Sequence, residues 1–126
     1  MQLIVEEIAG VKIAVVPGDY LDSSNTQEFR REVQPVLEAG GGVVFDLSLL
    51  KFVDSSGIGV LLNCRKQVNT SGRDLKLCGV SKQVRVLFEL VRLHHIFEIF
   101  NTKEEAIRAF ADAEARVRED LPLQEK

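Results

Sequence analysis

The chain has 126 residues, which is enough to bury one continuous hydrophobic core without disulfides or a structural metal. Its 16 basic and 19 acidic residues give a formal net charge of −3 at pH 7. The basic residues are spread along the chain, whereas nucleic-acid binding needs a concentrated positive patch. These properties predict a single domain and argue against nucleic acid as the main ligand.

The N-terminus and the two cysteines indicate the compartment. Residues 1–7 lack the basic start and the continuous apolar stretch of a secretory signal. No segment approaches the roughly 20 apolar residues that cross a bilayer. Cys64 and Cys78 lie in apolar contexts without C-x-x-C spacing, which is typical of reduced core thiols. We therefore expect a cytoplasmic protein without membrane insertion, metal or other cofactor.

The first part of the chain predicts a hairpin followed by a helix. Two β-branched runs, residues 3–8 and 11–16, are separated by a two-residue junction that favours antiparallel pairing through a tight turn. Apolar residues at i, i+4, i+7 and i+8 from Phe29 predict a helix that Gly40 terminates. Pro35 lies inside that helix, so we expect a kink or tightened last turns there.

Strands and helices alternate in the rest of the chain. Residues 43–47 and 75–80 are short apolar runs of the kind found in buried strands, and residues 96–100 predict a last short strand. The helices are expected to begin near three capping signals, which are the Asp54-Ser55-Ser56 segment, Ser81, and Thr102 with Glu105 as a capping box.

The predicted order of elements is therefore β-β-α-β-α-β-α-β-α. The alternation favours right-handed crossovers and mostly parallel pairing, while the opening hairpin adds an antiparallel pair. The sequence predicts an α/β fold in which one domain, residues 1–117, is built on a mixed sheet covered by about four helices. Residues 118–126 are charged and short of apolar anchors, so we expect a frayed or disordered tail.

Sequence motifs of catalysis are absent around the serines that precede the second helix. No G-x-x-x-x-G-K-[ST] phosphate loop is present. Gly57 and Gly59 begin like a dinucleotide fingerprint, but Leu62 stands in place of its third glycine. The nucleophile elbow G-x-S-x-G fails because Asp54 stands two positions before Ser56. We therefore predict no catalytic residue.

The two histidines, His94 and His95, make a poor metal pair because adjacent residues on an extended segment point to opposite sides. A Ser-His-Asp catalytic triad would need one of these histidines to lie next to Ser56 in the folded chain. The local sequence does not place it there, so the triad is an open alternative. We expect both histidines at the surface and predict no metal site.

The segment from Asp54 to Gly57 has a simple structural interpretation. It lies between a buried strand and a helix, where the free backbone amides of the first turn need acceptors. Asp54 or Ser55 would serve as the N-cap. Gly57 and Gly59 would let the backbone pass closely over the sheet. On the residues alone, this capping interpretation is the simpler one.

A functional interpretation uses Ser56 as an exposed hydroxyl that can be modified. Phosphorylation would add about −1.5 to −2 charges at pH 7. A helix N-terminus favours such a charge, so the fold should survive. A partner that packs apolar or acidic surface over the same edge would not tolerate it. This separation of fold from interface is what a switch requires.

Four segments of the chain resemble one known family. They are Gly18-Asp19-Tyr20-Leu21-Asp22, Val44-Phe45-Asp46-Leu47-Ser48, Phe52-Val53-Asp54-Ser55-Ser56-Gly57-Ile58-Gly59-Val60-Leu61, and Gly79-Val80-Ser81 with Val84, Leu87 and Phe88. Over residues 11–110 the sequence closely resembles the anti-sigma-factor-antagonist family, whose fold is the STAS domain (sulphate transporter and anti-sigma antagonist). The D-S-S-G block is the most specific of these signals.

The resemblance implies a partner-switching protein. Members of that family bind an anti-sigma factor that is also a serine kinase, and the sigma factor is released. The kinase then phosphorylates the antagonist, and the complex dissociates. A PP2C-type phosphatase removes the phosphate and restores binding. The resemblance implies Ser56 as the phosphorylation site. The partner-binding residues that it implies are Asp22, Asp54, Ser55, Ser56, Gly57 and Ile58.

Two alternatives from other classes stay open on the sequence. One is a STAS scaffold or transport-accessory subunit that binds its partner constitutively. The other is a nucleotide-binding module, since an exposed helix N-terminus suits an anion. A hydrolase is a more distant interpretation.

Overall fold

The computed structural model describes residues 1–120, and a five-stranded mixed sheet forms its centre. The strands are β1 Ile4–Ile8, β2 Val11–Val15, β3 Tyr20–Leu21, β4 Val43–Asp46, β5 Phe52–Val53, β6 Leu75–Cys78 and β7 Ile99–Phe100. The helices are α1 Thr26–Glu38, α2 Ser55–Thr70, α3 Lys82–Leu90, a short 3-10 helix Leu93–His95, and α4 Lys103–Asp120.

The sheet has the order β1-β2-β4-β6-β7. The β1–β2 pair is antiparallel, and every other pair in this sheet is parallel. Strands β3 and β5 pair in parallel as a separate two-stranded sheet. The α/β class, the opening hairpin and the mixed sheet predicted from the sequence are thus confirmed.

Two hydrophobic clusters cover the two faces of the central sheet. Because successive strand residues point to opposite faces, Val43 and Phe45 enter the large cluster with α1, α2 and α3. Val44 enters the smaller cluster with Ala106 of α4. In the large cluster, Phe29 of α1 meets Phe45 edge to face, with ring centroids 5.7 Å apart. Burial on both faces explains why these strands read as continuous apolar runs.

The predicted caps of the later helices are confirmed. Ser81 is the N-cap of α3, and its hydroxyl oxygen accepts from the Val84 amide at 3.4 Å. Before α4, the Glu105 amide donates to the Thr102 hydroxyl at 3.1 Å, and the Thr102 amide donates to the Glu105 carboxylate at 3.0 Å. This reciprocal pair is the capping box that the sequence indicated.

Three details differ from the sequence-based expectations. The separate β3–β5 sheet was not predicted. The last strand is shorter than residues 96–100, because Leu93 and Phe97 are both buried at a helical spacing and the chain turns through Leu93–His95 before β7. Helix α1 remains α-helical from Pro35 to Glu38, so the predicted tightening of its last turns does not occur. The kink at Pro35 remains a prediction.

Helix α4 runs through Arg118 to Asp120, and the rest of the predicted tail, residues 121–126, lies outside the described residues. The domain boundary after residue 117 therefore remains a prediction. Among residues 1–120, no helix combines the length and the apolar character needed to span a membrane.

Both cysteines lie in the core as free thiols. Burial raises the pKa of the Cys64 thiol to about 12, and burial with the nearby Asp46 raises the pKa of Cys78 to about 12. Both side chains are therefore protonated and unreactive at neutral pH. Within the described part of the chain, no group of three or more His, Cys, Asp or Glu side chains is placed to hold a metal ion.

Candidate partner-binding site

Residues 54–57, here called the serine segment, form the start of α2. Asp54 has an extended backbone and is the N-cap, and its Oδ1 accepts from the Gly57 amide at 3.0 Å. Ser55 and Ser56 are the first two helical residues. Of the two caps that the sequence allowed, the structure therefore selects Asp54 and not Ser55.

The hydroxyl groups of Ser55 and Ser56 are not used by the fold. Both residues are exposed. Within residues 1–120, the cap hydrogen bond of α2 comes from Asp54, and neither serine side chain makes a hydrogen bond to the rest of the protein. The capping interpretation therefore does not exclude the functional one, because the cap uses Asp54 and leaves the hydroxyl groups of both serines exposed. Hydrogen bonding does not distinguish Ser55 from Ser56.

The Asp54 carboxylate also reaches a second segment of the chain. Its Oδ2 accepts from the Ser23 amide at 3.1 Å, while Oδ1 keeps the Gly57 amide. The Asp54 amide in turn donates to the Leu21 carbonyl at 3.3 Å. One residue thus connects the serine segment to the chain that follows β3, through both its side chain and its backbone.

Residues 22–25, here called the aspartate loop, fold around the Asp22 side chain. Its Oδ1 accepts from the Ser24 amide at 2.9 Å and from the Ser24 hydroxyl at 2.5 Å. The Asp22 amide donates to Asn25 Oδ1 at 2.9 Å. The next residue, Ser23, is the one that Asp54 holds. The structure therefore brings together Asp22 and the serine segment, which are far apart in sequence.

Two exposed aromatic residues lie beside this site and were missed from the sequence. Tyr20 and Phe52 are partners across the β3–β5 pair, and they are 45% and 54% exposed. Their neighbours Leu21 and Val53 point the other way and are buried. Exposed aromatic residues of this kind are enriched in protein interfaces. Their position just before the aspartate and serine motifs was the signal in the sequence.

Gly57 is required by a close approach of two backbones. A Cβ atom at this position would overlap the Leu21 carbonyl oxygen and lie 2.7 Å from Val53 Cγ1. At Gly59 a Cβ atom would meet nothing within 4 Å. The expectation that both glycines allow a close approach is therefore correct for Gly57 and wrong for Gly59, which points into open space.

The other predicted residues are Ile58 and the two histidines. Ile58 is partly buried and packs against the main core. His94 and His95 are exposed on the 3-10 helix after α3, with ring centroids 4.2 Å apart. In the part of the chain that the structure describes, no hydrogen bond joins either histidine to Ser56, so a serine–histidine pair is not formed.

A family model described as the STAS domain matches residues 2–106. The chain belongs to the STAS domain family. It is 32% identical over 114 residues to BtrV of Bordetella bronchiseptica, which is named as a candidate anti-sigma factor antagonist. That match covers 90% of this chain and 97% of the Bordetella protein. The resemblance found in the sequence motifs is thus confirmed.

Solved structures show the same STAS fold. A candidate anti-sigma factor antagonist from Thermotoga maritima has a TM-score of 0.79 at 25% identity, and the match covers 86% of this chain and 94% of that chain. The phosphorylated form of the Bacillus cell fate determinant SpoIIAA has a TM-score of 0.61 at 22% identity, with 85% and 97% covered. The second similarity is evidence for the fold alone.

The two STAS-domain glycines at the start of α2 provide a matched pair of substitutions. We expect Gly57→Ala to lower the free energy of unfolding by about 1–3 kcal/mol, because the added methyl group overlaps a backbone carbonyl. Gly59→Ala should be neutral or stabilising by up to about 1 kcal/mol, since it adds helix propensity in open space. Urea denaturation of both variants measures the difference. Equal stabilities would contradict the close approach.

Asp54→Asn separates the two hydrogen bonds of the Asp54 carboxylate. Asparagine is an equally good N-cap, so the Gly57 amide should stay protected. Its amide group cannot also accept from Ser23, so the Ser23 amide should exchange with solvent faster than in the unsubstituted protein. Amide exchange measured by NMR tests both residues in one sample, and Asp54→Ala, which removes both acceptors, is the control. Unchanged protection at Ser23 would contradict the bridge.

Proposed function

We propose that this chain is a cytoplasmic anti-sigma factor antagonist that binds an anti-sigma factor with serine kinase activity and is switched off by phosphorylation of Ser56. The observation that carries the proposal is the Ser56 hydroxyl, which is exposed at the start of α2 and makes no hydrogen bond to any other part of residues 1–120. The resemblance of the D-S-S-G block to the family supports Ser56 rather than Ser55 as the acceptor. In this proposal the chain is a substrate and a binding partner, and the partner is the enzyme.

The surface around Ser56 supports a protein partner. The exposed rings of Tyr20 and Phe52 offer apolar contact area next to the serine segment. The aspartate loop adjoins them, because Asp54 holds its Ser23 amide. Asp22, Asp54, Ser55, Ser56, Gly57 and Ile58 would therefore be covered or positioned by one contact.

Phosphorylation would change this surface more than it changes the fold. Within residues 1–120, the hydroxyl of unmodified Ser56 makes no hydrogen bond that a phosphate would remove. The N-terminus of α2 also favours a negative group. The neighbouring Asp54 carboxylate repels the phosphate, but solvent screens this repulsion in the free protein. A bound partner excludes that solvent, so the charge must be desolvated in the complex and binding is lost. A PP2C-type phosphatase would reach the exposed phosphate and restore binding.

The nucleotide-binding alternative has less support. One of the amides at the start of α2, that of Gly57, is already bound by Asp54 Oδ1, and in a bound complex without solvent the Asp54 carboxylate would repel a nucleotide phosphate. A constitutive STAS scaffold makes the same partner contact as the proposed switch but does not respond to charge at Ser56. Binding measurements distinguish these two functions.

The kinase reaction tests the acceptor directly. We expect an anti-sigma factor kinase from the same organism, with ATP, to add one phosphate to the unsubstituted chain and to the Ser55→Ala variant. Ser56→Ala should receive none. Intact-mass spectrometry measures the products, and Ser55→Ala is the matched control because both hydroxyls are exposed. Phosphate on Ser56→Ala, or none on the unsubstituted chain, would reject the assignment.

A charge at Ser56 should weaken binding without unfolding the protein. We expect Ser56→Asp to raise the dissociation constant for the anti-sigma factor at least tenfold, which is about 1.4 kcal/mol. The thermal midpoint should stay near that of Ser56→Ala, since neither change removes a native hydrogen bond. Calorimetry measures both quantities. Equal affinity of the two variants would favour the constitutive scaffold, and a large loss of stability would mean that Ser56 is structural.

A further inference from the structure

Among residues 1–120, strand β1 is an open edge of the central sheet. It lies at the end of the strand order, and all five of its residues are exposed. The strand at the other end, β7, has only two residues. An edge strand of five residues carries free backbone donors and acceptors that can pair with another chain.

The hydrogen bonds of β2 show which β1 groups are free. The Lys12 amide donates to the Gly42 carbonyl at 3.0 Å, on the side of β4. Even-numbered residues of β2 therefore turn to β4, and its odd-numbered residues exchange hydrogen bonds with the even-numbered residues of β1. Val5 and Glu7 consequently direct their N–H and C=O groups away from the sheet.

The two acidic side chains of β1 are exposed, and each has a basic partner within the chain. Glu7 accepts from Lys12 Nζ at 2.6 Å, and Glu6 forms an ion pair with Lys103 of α4. The strand has no proline and no lysine of its own, which are common protections against edge-to-edge pairing. Its other side chains are the apolar Ile4, Val5 and Ile8, which are 66%, 43% and 37% exposed.

We propose that β1 pairs antiparallel with β1 of a second copy of this chain, so that one sheet continues across two subunits. With Glu6 on the two-fold axis, Val5 lies opposite Glu7 of the second copy, and each such pair exchanges two hydrogen bonds through the groups that face outward. In the same register Ile4 lies opposite the second copy's Ile8, so apolar side chains meet twice.

A second copy of the strand supplies matching outward backbone groups, and its side chains complement each other at the two ends of the strand. Apolar residues at both ends meet each other, and the two Glu6 side chains at the axis each keep the Lys103 ammonium of their own chain. This pairing uses neither the serine segment nor the aspartate loop. It is therefore independent of the proposed function.

Proline and alanine at Val5 distinguish backbone pairing from side-chain contact. We expect the unsubstituted full chain to form a dimer in sedimentation experiments between micromolar and millimolar concentration. Val5→Pro removes an outward N–H without breaking a bond inside the sheet, and proline is tolerated on edge strands. It should raise the dimer dissociation constant at least tenfold relative to Val5→Ala, which keeps the N–H. The thermal midpoint of each variant checks that it is folded.

Hydrogen exchange of the unsubstituted chain tests the pairing without a substitution. The amides of Val5 and Glu7 should become protected as concentration rises, whereas the Glu6 amide should be protected at every concentration because it bonds within the sheet. A monomer at all concentrations, equal association of Val5→Pro and Val5→Ala, or exchange at Val5 and Glu7 that ignores concentration would overturn the proposal.

Discussion

The geometry of the serine site depends on one carboxylate that holds two backbone amides. Asp54 caps α2 through Gly57 and fixes Ser23 of the aspartate loop with its other oxygen. Its own amide bonds the Leu21 carbonyl, so the two segments are joined on both sides of the same residue. The hydrogen bond to Gly57 is partly buried, whereas the one to Ser23 is exposed and therefore weakened by solvent. This arrangement fixes the serines relative to the aspartate loop before any partner arrives.

The same arrangement explains how a modification can be separate from folding. Because Asp54 supplies the cap, the hydroxyl of Ser56 contributes nothing that the helix needs. In the proposed function, a phosphate on Ser56 would add charge to a hydrated surface, and its cost would appear when a partner removes the water. Gly57 lets the start of α2 lie directly against the Leu21 backbone. Stability and partner affinity can therefore change independently at neighbouring residues.

Hydrophobic periodicity and capping residues predicted most of the fold, because both signals depend on residues that are close in the sequence. The hairpin, the buried strands and the capping box are of this kind. The β3–β5 sheet was not predicted, because Tyr20–Leu21 and Phe52–Val53 are too short to show an alternating apolar pattern. At the site, the choice of Asp54 over Ser55 as cap depends on backbone angles, and the difference between Gly57 and Gly59 depends on a distant strand. The spacing of residues along the sequence specifies neither the backbone angles at Asp54 nor the contact between Gly57 and that strand.

Charged side chains protect an edge strand from pairing with another chain, and this protection depends on whether the charges already have partners. The composition of the strand alone does not show whether they do. Unpaired glutamates would protect β1, but Glu6 and Glu7 form exposed ion pairs with Lys103 and Lys12 of the same chain. A molecule paired through β1 presents two copies of the serine segment at a fixed separation. A partner with two binding sites would then be held by avidity, and one phosphate would weaken the assembly without releasing it. Complete release would need both copies of Ser56 to be modified, which makes the proposed switch graded.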